Sequence, residues 1–226
     1  MSNMKKISVA DVIKFIRKGD RSREIFMINL KKPKVKTDDS SGGNYWMCST
    51  STISQVFKSE ELNDLSEKIE ILIEKKRNTP NPVSKGMYQK NIEILHNAKD
   101  LEYSELKPYF DIDYLKNPKV ILELDTVPVQ TIPNHVFKFI EEGVEKVGAI
   151  WIVAKKDGYK QEELAVFVYS LYQYLTLTYS KQFQVSKEYC IALDVTSSRK
   201  LSYKQALDFN HLGFVQETLA LLKKFI

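Results

Sequence analysis

Residues 147–156 read Val-Gly-Ala-Ile-Trp-Ile-Val-Ala-Lys-Lys. This run is apolar without alternation, rich in β-branched residues, and ends on two lysines. It fits a strand covered on both faces. Residues 161–179 follow with Leu164, Phe167, Val168, Leu171 and Leu175 inside about 100° of one helix face. Residues 189–195 (Tyr-Cys-Ile-Ala-Leu-Asp-Val) read as a second buried strand. The segment 147–195 is therefore predicted as strand, helix, strand. A parallel pairing of the two strands implies a right-handed crossover.

Working outward, residues 119–125 and 127–140 read as further strands, closed by a Glu141-Glu142-Gly143 turn. Residues 203–209 and 212–225 read as helices. In the first half, Ser8 and Asp11 have capping-box spacing, so 9–18 is predicted helical, ending at Gly19. Glu24 to Leu30 reads as a strand, and 31–43 as an exposed polar loop. Residues 45–57 fit a strand or a helix equally. Residues 60–77 read as a helix with Leu62, Leu65, Ile69, Leu72 and Ile73 on one face. Asn78 to Pro82 stops it. Residues 86–98 read as another helix with Tyr88, Ile92 and Leu95 inward, and 103–118 as irregular. The expected fold is α/β or α+β. A mixed sheet at 119–226, built on the strand–helix–strand core, carries a mainly helical part at 1–115, the two forming one unit.

Charge bounds the function. The 226 residues carry 34 Lys+Arg against 29 Asp+Glu, a net charge of +5. That is mild for a dedicated nucleic-acid-binding domain. The basic residues nevertheless cluster: Lys31, Lys32, Lys34 and Lys36; Lys75, Lys76 and Arg77; Lys155 and Lys156; Arg199 and Lys200. Each cluster also reads as the solvated end of a helix or strand. The two cysteines, Cys48 and Cys190, make neither a disulfide framework nor a zinc pattern. No glycosylation sequon occurs, and Asp11 and Lys14 interrupt any signal-like run. The longest apolar run, Ala149 to Ala154, is far short of a membrane span. A cytoplasmic protein without a membrane partner is expected.

Several chemistries lack their motif. There is no phosphate-cradling glycine loop, no His-Glu-X-X-His and no Gly-X-Ser-X-Gly elbow. His96, His135 and His211 are scattered along the chain.

One constellation remains. Pro133-Asn134, nineteen residues, then Ala154-Lys155-Lys156 has the spacing of the PD-(D/E)XK pattern. Over residues 119–195 the chain resembles the nuclease superfamily of that name, which includes restriction enzymes and RecB-type nucleases. The order strand, strand, strand, long helix, strand is similar to the common core of that family. Lys156-Asp157-Gly158 resembles the Lys-Thr-Gly run of RecB-type members. In the family two acidic residues hold divalent metal through hard oxygen ligands. The metal activates water and neutralises charge on the phosphate, and the lysine stabilises the transition state. Here Asn134 replaces the first carboxylate and Ala154 the second; only Lys156 is retained. A migrated carboxylate could restore Mg²⁺ binding, with Asp125, Glu123, Glu162 and Glu163 as candidates. Otherwise no cofactor is expected. The resemblance also implies a Gln and a Tyr on the following helix, where Gln173 and Tyr172 are found, with Tyr169 and Tyr179 nearby, and an extra acid upstream, for which Glu93 is the candidate.

The first expectation is a nuclease-fold protein with a degraded metal site that binds DNA or RNA without cutting. Lys155, Lys156, Tyr172, Lys75, Lys76 and Arg77 would contact the ligand, with Asn134 in the vacated position. The alternatives are a metal-dependent nuclease using Lys156 and a migrated carboxylate, or a protein-interaction module that touches no nucleic acid.

Overall fold

The computed structural model describes residues 6–32, 45–109 and 111–226. The strand–helix–strand unit forms as β6 (Val144–Val153), α6 (Gln161–Tyr179) and β7 (Gln184–Asp194), with β6 and β7 parallel. Ahead of β6 come β2 (Ile112–Leu115), β3 (Val120–Leu124), β4 (Val127–Thr131) and β5 (His135–Glu141); behind β7 comes β8 (Arg199–Ser202). The main sheet has the order β2-β5-β6-β7-β8, antiparallel except for the β6–β7 pair. The fold is thus an α/β fold with mixed sheets. A register shift between Val147 and Ala149 bends β6 against β7. Gly148 lies in it, because a Cβ there would stand 2.7 Å from the Tyr189 carbonyl oxygen.

A second sheet, β1-β4-β3, pairs β1 (Ile7–Ser8) with β4 in parallel and β3 with β4 in antiparallel fashion. It packs on the outer side of α6. Buried residues of α6 therefore run from Glu163 to Val168 without a break, then Ser170, Leu171, Tyr174 and Leu175. A helix apolar nearly all round is one covered nearly all round. The same cluster takes in α1 (Val9–Ile16), α7 (Tyr203–Asp208) and α8 (Leu212–Lys223).

The opposite face of the main sheet carries α3 (Met47–Ser59), α4 (Asn63–Asn78) and α5 (Pro82–Ala98). Their core is Ile53, Phe57, Leu65, Leu72 and Leu95 against Phe137, Ile150 and Ile191. The stretch before residue 115 thus divides between both faces. Leu62 and Ile73 are exposed, so the inward stripe of α4 is narrower than its sequence suggests. The ambiguous segment 45–57 is α3. Its Thr50 and Thr52 hydroxyls donate to carbonyls one turn back, at 2.9 Å each, which lets hydroxyl residues sit inside a helix.

The strand expected at Glu24–Leu30 is corrected: those residues belong to α2 (Asp20–Lys31). Phe26, Met27 and Leu30 meet the core at helical spacing, while Ile25 and Ile28 face outward. Asp20 in the first turn and Lys31 in the last suit the helix dipole. Of the polar loop at 31–43, only Lys31 and Lys32 fall among the described residues, at the end of α2; Lys34 and Lys36 lie outside them.

Candidate functional site

The loop from Ala154 to Lys160 joins β6 to α6 at the carboxyl end of the parallel pair. Asp194, the last residue of β7 and fully buried, holds it. One carboxylate oxygen accepts from the Tyr159 amide at 2.7 Å and from the Ser197 hydroxyl at 2.6 Å; the other accepts from the Thr196 amide at 3.0 Å. The Lys155 amide donates to Thr196 Oγ1 at 3.3 Å, and Arg199 donates to the Tyr159 carbonyl at 3.1 Å. Gly158 has φ +68°, and a Cβ there would stand 2.8 Å from Asp194 Oδ2. Both the conformation and the close approach require glycine.

This clasp presents two lysines. Lys156 is exposed. Lys155 Nζ is buried without a hydrogen-bond partner and lies 5.1 Å from the centroid of the Tyr159 ring. Among the described residues neither lysine has an ion-pair partner. Burial first, then the charges of Asp194 and Glu163, push the Tyr159 phenol up to about 12.

Asn134 stands at the same end of the sheet. Its amide donates to the Ile150 carbonyl at 3.0 Å, and its side-chain Oδ1 accepts from the Ile152 amide at 2.7 Å. The side chain therefore adds one more rung to the β5–β6 ladder, two residues before Ala154. That use takes the oxygen that would face a metal. Ala154 offers no donor atom. The site's residues do not fit a divalent cation.

The carboxylates considered as substitutes are engaged or distant. Glu163 is 5 % exposed, forms a two-pronged pair with Arg17 of the segment after α1, and accepts from the Lys160 amide at 2.9 Å. Glu163 also holds the Arg17 guanidinium charge above its ordinary range. Glu162 is exposed on the first turn of α6. Asp125 and Glu123 belong to the β3–β4 hairpin, where Asp125 pairs with Lys223 at 3.1 Å. Among the described residues, no group of three or more His, Cys, Asp or Glu side chains is placed to hold a metal ion.

Tyr172 is placed apart from the two lysines. It lies about 16 Å along α6 from Gln161, at about 1.5 Å per residue. Its ring stacks on Tyr203, with centroids 3.9 Å apart. The basic end of α4 is tied to α5. Lys76 donates to Gln89 at 2.6 Å, Gln89 to Glu93 at 3.0 Å, and Lys90 to Glu93 at 2.7 Å, forming a polar line along α5. Lys90 holds the Glu93 carboxyl below its usual range. Lys75 and Arg77 are exposed beside Lys76.

The clasp itself was not read from the sequence. Asp194-Val-Thr-Ser-Ser is an acidic residue ending a buried strand ahead of hydroxyl-rich turn residues, a pattern that marks side-chain-closed turns. A second unread feature is His135. Its Nε2 lies 2.8 Å from both the carbonyl and the hydroxyl oxygen of Ser54, and its ring stacks on Phe57. A ring nitrogen meeting a carbonyl carries the hydrogen, so His135 is no base for Ser54. Burial lowers its pKa, with Lys58 and Lys107 adding to the effect.

No family model matches the chain, and no curated protein or solved structure matches it either.

Proposed function

We propose that this protein is a nuclease-like domain that binds nucleic acid through the β6–α6 loop and does not cut it. The observation that carries the reading is the company kept by Asn134. It stands beside Ala154, just outside β5 and β6, and the two have the spacing of the resembled family's carboxylates, while exposed Lys156 projects from the same end of the sheet without an anionic partner and Lys155 is folded in against Tyr159. The sequence β5, β6, α6, β7 with a parallel crossover supports it. Binding needs no metal: an exposed ammonium displaces condensed counterions from the phosphate backbone, and the affinity falls with salt.

The test is fluorescence anisotropy with labelled single- and double-stranded DNA and RNA over a salt series, with Mg²⁺ or Mn²⁺ added in parallel and products run on gels. Binding without cleavage is expected. Lys156→Ala is expected to reduce the slope of log affinity against log salt by about 0.9 on duplex DNA. An unchanged slope, or no binding at low salt, overturns the reading. Metal-dependent cutting that is lost in Lys156→Ala points instead to a nuclease with a displaced carboxylate.

A further inference from the structure

Strand β2 is an edge of the main sheet. Among the described residues, the backbone of Ile112–Leu115 makes its interstrand hydrogen bonds only with β5, leaving the outer edge open. Two cavities straddle this strand, one on each face of the sheet. The first, of about 570 Å³, is lined by Asp111, Asp113, Lys138 and Glu145. The second, of about 660 Å³, takes the alternate residues Ile112 and Tyr114, together with Val56, Leu101 and Tyr103. Tyr109, fully exposed, borders both. At β8, the other edge of the sheet, a cavity takes Lys200 and Ser202, which share one face.

The two cavities differ in chemistry. In the first, Lys138 lies 3.4 Å from Asp113 and 3.7 Å from Glu145, so one cation is shared by two carboxylates, with Asp111 in addition. The surplus is negative. In the second, Lys107 is buried, pairs with Glu60 at 2.6 Å and lies 5.0 Å from the Phe57 centroid, so its charge is already met. Lys58 and Glu102 line it too, so, apart from Asp111 at the border of both cavities, two cations face two carboxylates there. Besides these charges the second cavity offers apolar and aromatic surface from Val56, Leu101, Tyr103, Ile112 and Tyr114.

We infer that β2 is a docking edge for an extended segment of a partner protein that alternates basic with apolar residues. Such a segment adds as a sixth strand. Its main chain pairs with the open edge, and its side chains fall alternately on the two faces. The basic ones meet Asp111, Asp113 and Glu145. The apolar ones meet Tyr114, Tyr103 and Leu101. The occupant follows from the surplus of carboxylates in the first cavity, against the more nearly matched charges and apolar side chains of the second.

The probe is a fluorescein-labelled, end-blocked peptide, Lys-Val-Lys-Leu-Lys-Val-Lys, titrated into the full chain and read by anisotropy. Saturable binding is expected. Replacing its lysines by glutamates is expected to abolish it. N-methylating one alternate set of amides is expected to abolish binding, and methylating the other set to leave it, because a strand pairs through only one of its edges. Asp111→Lys with Asp113→Lys is expected to weaken binding at least about tenfold. Glu145→Lys, on a residue half-exposed to solvent, is expected to weaken it too, and circular dichroism confirms that each variant is folded. No saturable binding overturns the inference, as do equal binding of both methylated peptides and an indifferent Glu145→Lys. A dimer that excludes the peptide also overturns it, in favour of a second copy at the edge.

Discussion

The two faces of the main sheet are covered by different means. On one face lies α6, whose position follows from connectivity: a parallel pair needs a crossover, and the crossover must pack back on the sheet. It is then buried a second time, beneath β1-β4-β3. On the other face α3, α4 and α5 arrive from a separate part of the chain. The stripe that α4 buries is only Leu65, Ile69 and Leu72. This face is fixed in part by polar contacts between elements. Asn91 of α5, fully buried, accepts from the Ser49 amide at 2.9 Å and donates to the Tyr45 carbonyl at 2.8 Å. Ser54 of α3 meets His135 of β5. The α6 face is placed by chain order, the other by apolar packing together with side-chain contacts between separate elements.

The contrast breaks first under truncation of the core. Phe167 of α6 packs edge-on against both Trp151 and Tyr159, each at 5.2 Å between centroids. Phe167→Ala is expected to cost about 4 kcal/mol, and Leu72→Ala of α4 about 2.5 kcal/mol. Urea unfolding measures both. A larger loss for Leu72→Ala would mean that the α3–α5 face is the better packed of the two.

The clasp of the β6–α6 loop comes next. Asp194→Ala strands the Tyr159 and Thr196 amides and the Ser197 hydroxyl, and is expected to cost about 3 kcal/mol. The variant is also expected to weaken nucleic-acid binding while leaving Lys156 in place, because the lysine is no longer presented on a fixed loop. Stability lost with affinity retained would separate the clasp from the site.

Legibility followed the same division. Residues 147–195 announced their structure because burial on both faces writes an unbroken apolar run and helical spacing into adjacent sequence. The strand at 119–125 and the closing helices were also readable, whereas 127–140 divides into β4 and β5 of two different sheets, β2 lies in the stretch read as irregular, and β8 was not read. Glu24–Leu30 was not readable either, because Ile25-Phe26-Met27-Ile28 is an unbroken apolar run that shows neither period, and only packing against the core decides which of these residues turn inward. The segment 45–57 was undecidable locally, since serines and threonines favour neither state until their hydroxyls bond back to the helix. For the candidate site, the positions of Asn134 and Lys156 were legible as spacing. The use of Asn134 Oδ1 as a ladder rung was not, nor the Asp194 clasp, because both are contacts between residues far apart in the chain. The stacking of Tyr172 on Tyr203 was hidden for the same reason.

A third test concerns the tie between α1 and α6. Arg17→Met leaves Glu163 buried with only the Lys160 amide and Arg17's stem replaced by thioether. Removing one partner of a buried pair is strongly destabilising, but the Arg17 side chain is 39 % exposed, which tempers the effect to about 2 kcal/mol. The double variant Arg17→Met with Glu163→Gln is expected to recover part of that loss. No recovery would show that α1 is held by its apolar residues alone.

The smallest effect lies on the opposite face and distinguishes it by pH. His135 is half-buried between Phe57 and Tyr114, and this desolvation, with the charges of Lys58 and Lys107, sets its folded pKa below the ordinary 6.5. The unfolded chain then binds the proton more readily. Stability contributed by the neutral ring is intact above pH 6.5 and is lost as pH falls from there through the depressed folded value. Comparing urea unfolding at pH 7.5 and 5.5, the wild-type chain is expected to lose more stability than His135→Gln. The glutamine keeps a donor for the Ser54 carbonyl but takes no proton. Phe167→Ala, on the α6 face, is expected to keep the wild-type pH dependence. Equal slopes for wild type and His135→Gln would remove the polar contact from the account of this face and leave apolar packing as the common support of both.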